Sequence, residues 1–317
     1  MQMKYKVYVD GQEGTTGLEI FKRLEKRDDI EILKIDSDKR KDADERKKFL
    51  NTADIVFLCL PDTAAKEAVA LINNPAVRVI DASTAHRTDD DWAYGIPELG
   101  DEFRNKIKTS KRVANPGCFA SGFNILLHPL IKNGFVPNDY PVTCHSVTGY
   151  SGGGRKLIEI YESGEHKDVV NSPCFYSLDL THKHLPEMHK HSGLKNPPLF
   201  TPIVCDYYRG MTVVLPFYTA NLNKNITAAE IHEFYTNYYI GQQFIKVMPL
   251  GIHKELEWGY LNAESCNETN SMEIFVFGNE THILTVARFD NLGKGASGAA
   301  VQNLNIMLGL DDSYSLT

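Results

Sequence analysis

The sequence predicts an α/β protein: a doubly wound parallel sheet joined to a second, α+β domain. Three observations carry this. Strand-like and helix-like segments alternate over the first third of the chain. A glycine-spaced turn at residues 11–17 separates the first strand from the first helix. From about residue 141 the pattern changes to alternating runs rich in β-branched residues. Strands that alternate with helices favour a parallel sheet with right-handed crossovers. Period-two alternation favours mixed or antiparallel pairing.

The elements follow in order. Lys6-Val7-Tyr8-Val9 is a short apolar strand, and Leu18, Phe21 and Leu24 then fall on one face of a helix. Residues 30–35 form the second strand, residues 54–60 the third and residues 77–81 the fourth. The Ala-rich stretch 63–72 reads as helix, because alanine loses least on becoming helical. In the second domain, residues 142–147, 212–215, 272–277 and 282–287 read as strands. After the turn Asp290-Asn291-Leu292-Gly293, the residues Ala300, Val301, Leu304, Met307 and Leu308 have helical spacing. No internal repeat, low-complexity tract or long linker interrupts the chain.

The composition narrows the function. A chain of 317 residues with 42% hydrophobic and 24% charged residues supports two domains with ordinary cores. A net charge of −7 gives no general attraction to nucleic acid or anionic membrane. The start of the chain lacks an apolar signal core, and no run approaches the length of a membrane span, which predicts a cytoplasmic protein. The six cysteines, at 59, 118, 144, 174, 205 and 266, form no CxxC pair and read as reduced thiols.

Four segments carry chemistry. The first is Gly11-Gln12-Glu13-Gly14-Thr15-Thr16-Gly17, between strand and helix. Glycines there let backbone N–H groups approach a pyrophosphate at a helix N-terminus. Beyond the second strand, Ser37, Lys39 and Arg40 can hold a 2′-phosphate, which favours NADP. Asp36 and Asp38 in the same run oppose that reading, and the bland alternative is a solvated charged loop.

The second segment is Asn115-Pro116-Gly117-Cys118, which leads into an apolar helix. A cysteine at a helix N-terminus is favoured as thiolate, the nucleophilic form. The third, Thr181-His182-Lys183-His184-Leu185-Pro186-Glu187, offers two histidines before a helix opened by Pro186 and ended by Gly193. One of them is predicted as a general acid/base, and His184 is preferred. A metal site of His182, His184 and Glu187 matches none of the common zinc spacings, so no metal is expected. The fourth is Ser151-Gly152-Gly153-Gly154-Arg155, a flexible turn ahead of a helix that suits an anionic group, or else a hinge between domains.

Taken together and in order, these segments resemble N-acetyl-gamma-glutamyl-phosphate reductase in its short form. Supporting segments are Asp81-Ala82-Ser83-Thr84-Ala85-His86-Arg87, Tyr94-Gly95-Ile96-Pro97-Glu98-Leu99 and residues 293–303. The resemblance runs over nearly the whole chain. It implies a Rossmann-type NADP-binding domain of residues 1–117 and 295–317, and a catalytic and oligomerisation domain of residues 118–294. It implies Cys118 as nucleophile, Ser83 and Asn303 along the cofactor, and Arg87, Arg155 and Ser151 at the substrate.

The implied reaction is NADPH-dependent reductive dephosphorylation of N-acetyl-L-glutamyl 5-phosphate to the semialdehyde, in arginine biosynthesis, by a homodimer or homotetramer. Aspartate-semialdehyde dehydrogenase is the nearest alternative, although that family has Asn-Cys where this chain has Gly117-Cys118. A lysine-pathway aminoadipyl-phosphate reductase is a further one, disfavoured by the net negative charge because its carrier is acidic. A dinucleotide-sensing regulatory protein without turnover is the alternative outside enzymes.

Overall fold

The computed structural model describes residues 4–40, 42–223, 226–254 and 256–316. Two compact units emerge. One comprises the residues up to Pro116 together with those from Ala296 onward, and the other runs from Gly117 to Gly295.

The first unit contains β1 (Tyr5–Asp10), α1 (Thr15–Leu24), β2 (Ile30–Leu33), α2 (Ala43–Thr52), β3 (Ile55–Leu58), α3 (Asp62–Leu71), β4 (Arg78–Asp81), β5 (Ala93–Tyr94), α4 (Asp101–Thr109), β6 (Arg112–Ala114) and the C-terminal helix Gly298–Leu308. Its six strands are ordered β2-β1-β3-β4-β6-β5, and every pair is parallel. The chain moves outward from β1 to β2 and then returns to the other side of β1 at β3. This reversal opens a crevice at the carboxyl ends of β1 and β3, where doubly wound sheets bind ligands. Tyr8, Val56, Leu58, Val79 and Ala114 fill the core with Leu50 of α2 and Ala65 and Ala68 of α3. The four strands expected in this unit are present. The helix α2, with only Phe49 and Leu50 as large apolar residues, has too faint a period to have been read. What starts it is its cap: the Asp42 carboxylate accepts from the Asp44 and Glu45 amides.

The second unit contains α5 (Cys118–Lys132), β7 (Thr143–Gly149), α6 (Arg155–Ser163), α7 (Lys167–Val170), β8 (Cys174–Phe175), α8 (Leu185–Ser192), β9 (Leu199–Cys205), β10 (Met211–Tyr218), α9 (Ala228–Tyr238), β11 (Ile245–Val247), β12 (Met272–Gly278) and β13 (His282–Phe289). Its seven-stranded sheet has the order β11-β12-β13-β10-β7-β9-β8. The sheet is mixed, with β7–β9 and β11–β12 parallel and the other pairs antiparallel. Along β10 the residues Met211, Val213, Leu215 and Phe217 are all buried.

The nucleophile's helix, α5, is the core of this unit. Residues from Phe119 to Leu127 are buried on every side, as expected of a helix that is apolar all round. It continues through Pro129, which removes the amide that would bond the Ile125 carbonyl. Two tyrosines of the α9 region reach this stretch. Tyr239 Oη donates to the Ile125 carbonyl and Tyr235 Oη to the Leu126 carbonyl, each at 2.5 Å. The carbonyl orphaned by proline is thus satisfied from a neighbouring helix.

Candidate active site

Of the cofactor candidates of the first unit, Gly11, Gly14, Ser37 and Arg40 line a cavity of about 520 Å³, and Thr15, Thr16, Gly17, Lys39, Ser83 and Asn303 do not. Gly11, Gln12, Glu13 and Gly14 form one side of it, and Ser37, Arg40 and Arg46 another. Gly11 sits at φ 89°, and a Cβ there would lie 2.3 Å from the Cys59 carbonyl oxygen, so no other residue fits. Gly14 is the N-cap of α1 and offers no side chain to it. The first turn of α1, with the amides of Thr15, Thr16 and Gly17, holds no acidic residue of its own, which suits an anion. The expected charged loop divides. Ser37 and Arg40 face the cavity. Lys39 is half-exposed and pairs with Asp36 at 4.0 Å. Arg40 pairs with Glu13 of the glycine turn.

Sequence reasoning missed Arg46. It reaches the same cavity from α2, held by the buried Asp10 carboxylate at 2.7 Å. A basic residue one turn into the helix after β2 was the available signal.

The segment 81–87 is packed tightly. The Ser83 hydroxyl donates to Asp81 at 2.7 Å, and His86 Nδ1 lies 2.6 Å from the same carboxylate. His86 also stacks on Trp92 at 4.1 Å. Arg87 is buried and donates to the Asn115 and Ala82 carbonyls, both at 2.9 Å. Asn303, fully buried, donates to Gly95 O and Asn115 Oδ1 at 3.1 Å. Its own Oδ1 accepts no hydrogen bond among the described residues.

In the second unit, Cys118 is the first residue of α5, after Gly117 at φ −78°, ψ 150°. Pro116 has no N–H to continue a strand ladder and Gly117 no side chain to cap with, and the chain enters the helix there. His184 is the N-cap of α8, and Pro186 lies in its first turn. The helix ends at Gly193 in a left-handed conformation, as the spacing predicted. The rings of His182 and His184 lie 4.8 Å apart and nearly perpendicular. Phe119, the residue after the cysteine, packs against both, at 5.6 and 5.8 Å. Phe200 and Tyr176 enclose His182 further, at 5.1 and 5.7 Å.

The two histidines differ in electrostatics. His182 Nδ1 accepts the His184 amide at 3.1 Å, which makes Nε2 the protonated nitrogen of its neutral ring. Burial, assisted by the charge of Lys183, lowers its pKa to about 4. His182 is therefore neutral around pH 7 and can offer an N–H but no imidazolium. Burial first, and the Cys118 thiol second, push the Tyr176 hydroxyl up. Tyr176 thus belongs to the cysteine's surroundings, though no spacing in the sequence singled it out.

The remaining substrate candidates lie as follows. Ser151 is buried, and its hydroxyl accepts from Asn291 Nδ2 at 3.0 Å. Arg155 opens α6 after Gly154 and makes an exposed pair with Glu159 at 2.9 Å. All six cysteines are free. Among the described residues, no group of three or more His, Cys, Asp or Glu side chains is arranged to hold a metal ion. No helix of these residues is long and apolar enough to cross a membrane.

Comparison with known proteins agrees with this geometry. The model of the semialdehyde dehydrogenase NAD-binding domain matches residues 6–109, and that of the semialdehyde dehydrogenase dimerisation domain matches residues 118–291. A protein of Nostoc named N-acetyl-gamma-glutamyl-phosphate reductase 2 is 49% identical, over 99% of both chains. One of Burkholderia cenocepacia, named N-acetyl-gamma-glutamyl-phosphate reductase, is 45% identical over 96% of this chain and 97% of its own. Among solved structures, aspartate semialdehyde dehydrogenase of Francisella tularensis superposes with a TM-score of 0.71 at 16% identity, covering 96% of this chain and all of that one. Aspartate semialdehyde dehydrogenase II of Vibrio cholerae does so with a TM-score of 0.69 at 12% identity, over 97% of this chain and 99% of that one. The structural likenesses show a shared fold, and the sequence relatives are much nearer. With a cysteine opening its central helix and near-full-length identity to these reductases, the chain belongs to the semialdehyde dehydrogenase family, in its N-acetyl-gamma-glutamyl-phosphate reductase branch.

Proposed function

We propose that the protein reduces N-acetyl-L-glutamyl 5-phosphate to N-acetyl-L-glutamate 5-semialdehyde, with Cys118 as nucleophile, in arginine biosynthesis in the cytoplasm. The observation that carries this is Cys118 at the first position of a buried helix, with Phe119 against the His182–His184 pair. Free amides at that helix start favour the thiolate. The thiolate attacks the acyl carbon, a C–S bond forms, and the C–O bond to phosphate breaks with release of phosphate. When bound, the reduced dinucleotide supplies the hydride. Once the thioester carbonyl is reduced, the C–S bond breaks, and aldehyde and thiolate separate.

His184, fixed as the N-cap of α8, is the acid/base on the carbonyl oxygen and the thiol. His182, neutral and donating from Nε2, orients the substrate. Amides at the start of α5 suit the developing oxyanion. Arg87, Arg155 and Ser151 are proposed to meet the anionic substrate. Arg155 can do so at little loss, since an exposed ion pair such as Arg155–Glu159 is weak.

NADP is the proposed cofactor. The glycine turn fits its pyrophosphate, and Ser37, Lys39 and Arg40, joined by Arg46, fit the 2′-phosphate. Asn303, with a buried acceptor still to be bonded, and Ser83 belong to the same proposal, as does the division into residues 1–117 with 295–317 and residues 118–294.

A homo-oligomer, dimer or tetramer, is proposed from the open face of the second sheet. There Pro216 opposes Leu284, and Leu284 opposes Phe277. A cavity of about 580 Å³ with Tyr218, 58% exposed, lies on that face. Apolar faces of this kind mark association surfaces.

The reverse reaction tests the reading. Semialdehyde, inorganic phosphate and NADP should yield NADPH, measured at 340 nm (roughly, the nicotinamide band), with N-acetylglutamate semialdehyde preferred. A higher kcat/KM with aspartate semialdehyde would overturn the substrate.

A further inference from the structure

We infer that Glu187 is a positioning residue that holds the start of the nucleophile helix from outside that helix. The inference rests on the reading of Cys118 as nucleophile. Gly117, the N-cap of α5, has no side chain to cap with. Its backbone N–H donates instead to Glu187 Oε2 at 3.1 Å. Glu187 belongs to α8 and is 1% exposed.

Another helix of the same unit shows what this contact replaces. In α9 the N-cap is Thr227, and its backbone N–H donates to Glu230 Oε2 at 2.7 Å, three residues along the same helix. That is the carboxylate half of a capping box. In α5 the corresponding position is Ala120, which has no carboxylate. Glu187 supplies that half from a second helix.

The consequence is a bracket across two helices. Glu187 lies three residues after His184, so the two share a helix face. One end of α8 therefore carries the proposed acid/base, and its first turn grips the Pro116–Gly117 peptide bond, immediately ahead of Cys118. Further along, Asn124 of α5 approaches the Glu187 carbonyl at 3.5 Å. Geometry between Cys118 and His184 is set by this contact between backbone and carboxylate, not by packing alone.

Two substitutions in the full-length protein test it. Glu187→Gln keeps an acceptor and Glu187→Met removes it at similar volume. Both remove the charge, so their difference reports the hydrogen bond. The rate of Cys118 alkylation by iodoacetamide, mapped by mass spectrometry, is followed against pH beside kcat, KM and thermal unfolding. We expect Glu187→Gln to keep kcat within about fivefold of the parent. Glu187→Met should lose about 10- to 100-fold in kcat with KM little changed.

The alkylation midpoint should lie about half a pH unit higher in Glu187→Met than in Glu187→Gln, because a frayed helix start stabilises thiolate less. A purely structural residue would lower the melting temperature and leave that midpoint in place. Equal midpoints and equal kcat in the two variants overturn the inference. If Glu187→Met does not fold, Glu187→Gln decides: a kcat loss beyond about 30-fold overturns it. An active Cys118→Ser would instead overturn the nucleophile reading, and this inference with it.

Discussion

The two units build their candidate sites from different materials. In the first, the candidate cofactor cavity joins a glycine turn at the start of a helix to charged side chains, of which Arg40 is about half exposed. In the second, side chains interlock: the half-buried Cys118 opens α5, the buried Phe119 packs against two buried histidines, and the buried Glu187 accepts the Gly117 amide. A site made of backbone groups tolerates changes at its rim, because each exposed charge contributes little. An interlocked site does not, because every buried group is another's support. The expected consequence is a steep ranking of mutational effects, large in the second unit and graded in the first.

The largest effect should come from Cys118→Ser. A hydroxyl is a far weaker nucleophile than a thiolate near neutral pH, so turnover should fall by about 10³-fold or more. NADP affinity, measured by fluorescence quenching or calorimetry, should hardly change. Turnover within tenfold (roughly 1.4 kcal/mol) of the parent would end the assignment.

Next comes the histidine pair. His184→Ala should lower kcat by about 10²–10⁴-fold with KM little changed, the range typical of acid/base help. His182→Ala should mainly raise KM, as loss of binding common to ground and transition states does. A larger kcat loss at His182 would exchange the roles. His182 also makes a stability prediction. Its pKa is about 4 in the fold against an ordinary value of 6.5. Between those values the unfolded chain binds the extra proton, so stability is lost as pH falls through this window and is fully present above it. Thermal melts from pH 7 to pH 4 should show a smaller drop for His182→Asn than for the parent.

The rim of the first unit should respond more gently. Replacing Lys39 and Arg40 together with alanine should raise the KM for NADPH by about tenfold, the scale of one or two phosphate contacts, and leave that for NADH nearly unchanged. Arg46→Ala should add to this, since Arg46 lines the same cavity. Unchanged NADPH kinetics in all three would remove the proposed phosphate site.

How much of this was legible in the sequence follows the same division. The glycine turn, the strands β1 to β4, the cysteine at a helix start and the helix bracketed by Pro186 and Gly193 all lie in local spacing, and the structure has each of them. Arg46, Tyr176 and the role of Glu187 were not legible. Their partners are 36 residues away for Arg46 and 70 for Glu187, and only the folded chain brings them together. The helix α9 went unread for a different reason. Its larger apolar positions are Ile231, a phenylalanine and tyrosines among polar residues, a weak periodic signal, although the Thr227–Glu230 capping box was there to be seen.

The smallest effect should be the most diagnostic of the interlocked unit. Tyr239→Phe removes one hydroxyl, and with it the donor to the Ile125 carbonyl at 2.5 Å. Pro129 has already removed the amide that a regular helix would use there. The carbonyl is then buried with one donor fewer, at a cost of about 1–3 kcal/mol. Urea or thermal unfolding should register that loss, while kcat stays at the parent value because the start of α5 is two turns away. Pro129→Ala tests the cause. It restores the missing amide, so Tyr239→Phe should cost about 1 kcal/mol less in that background than in the parent. Equal costs in the two backgrounds would mean that Tyr239 stabilises α5 by packing alone, and that the proline is tolerated for another reason.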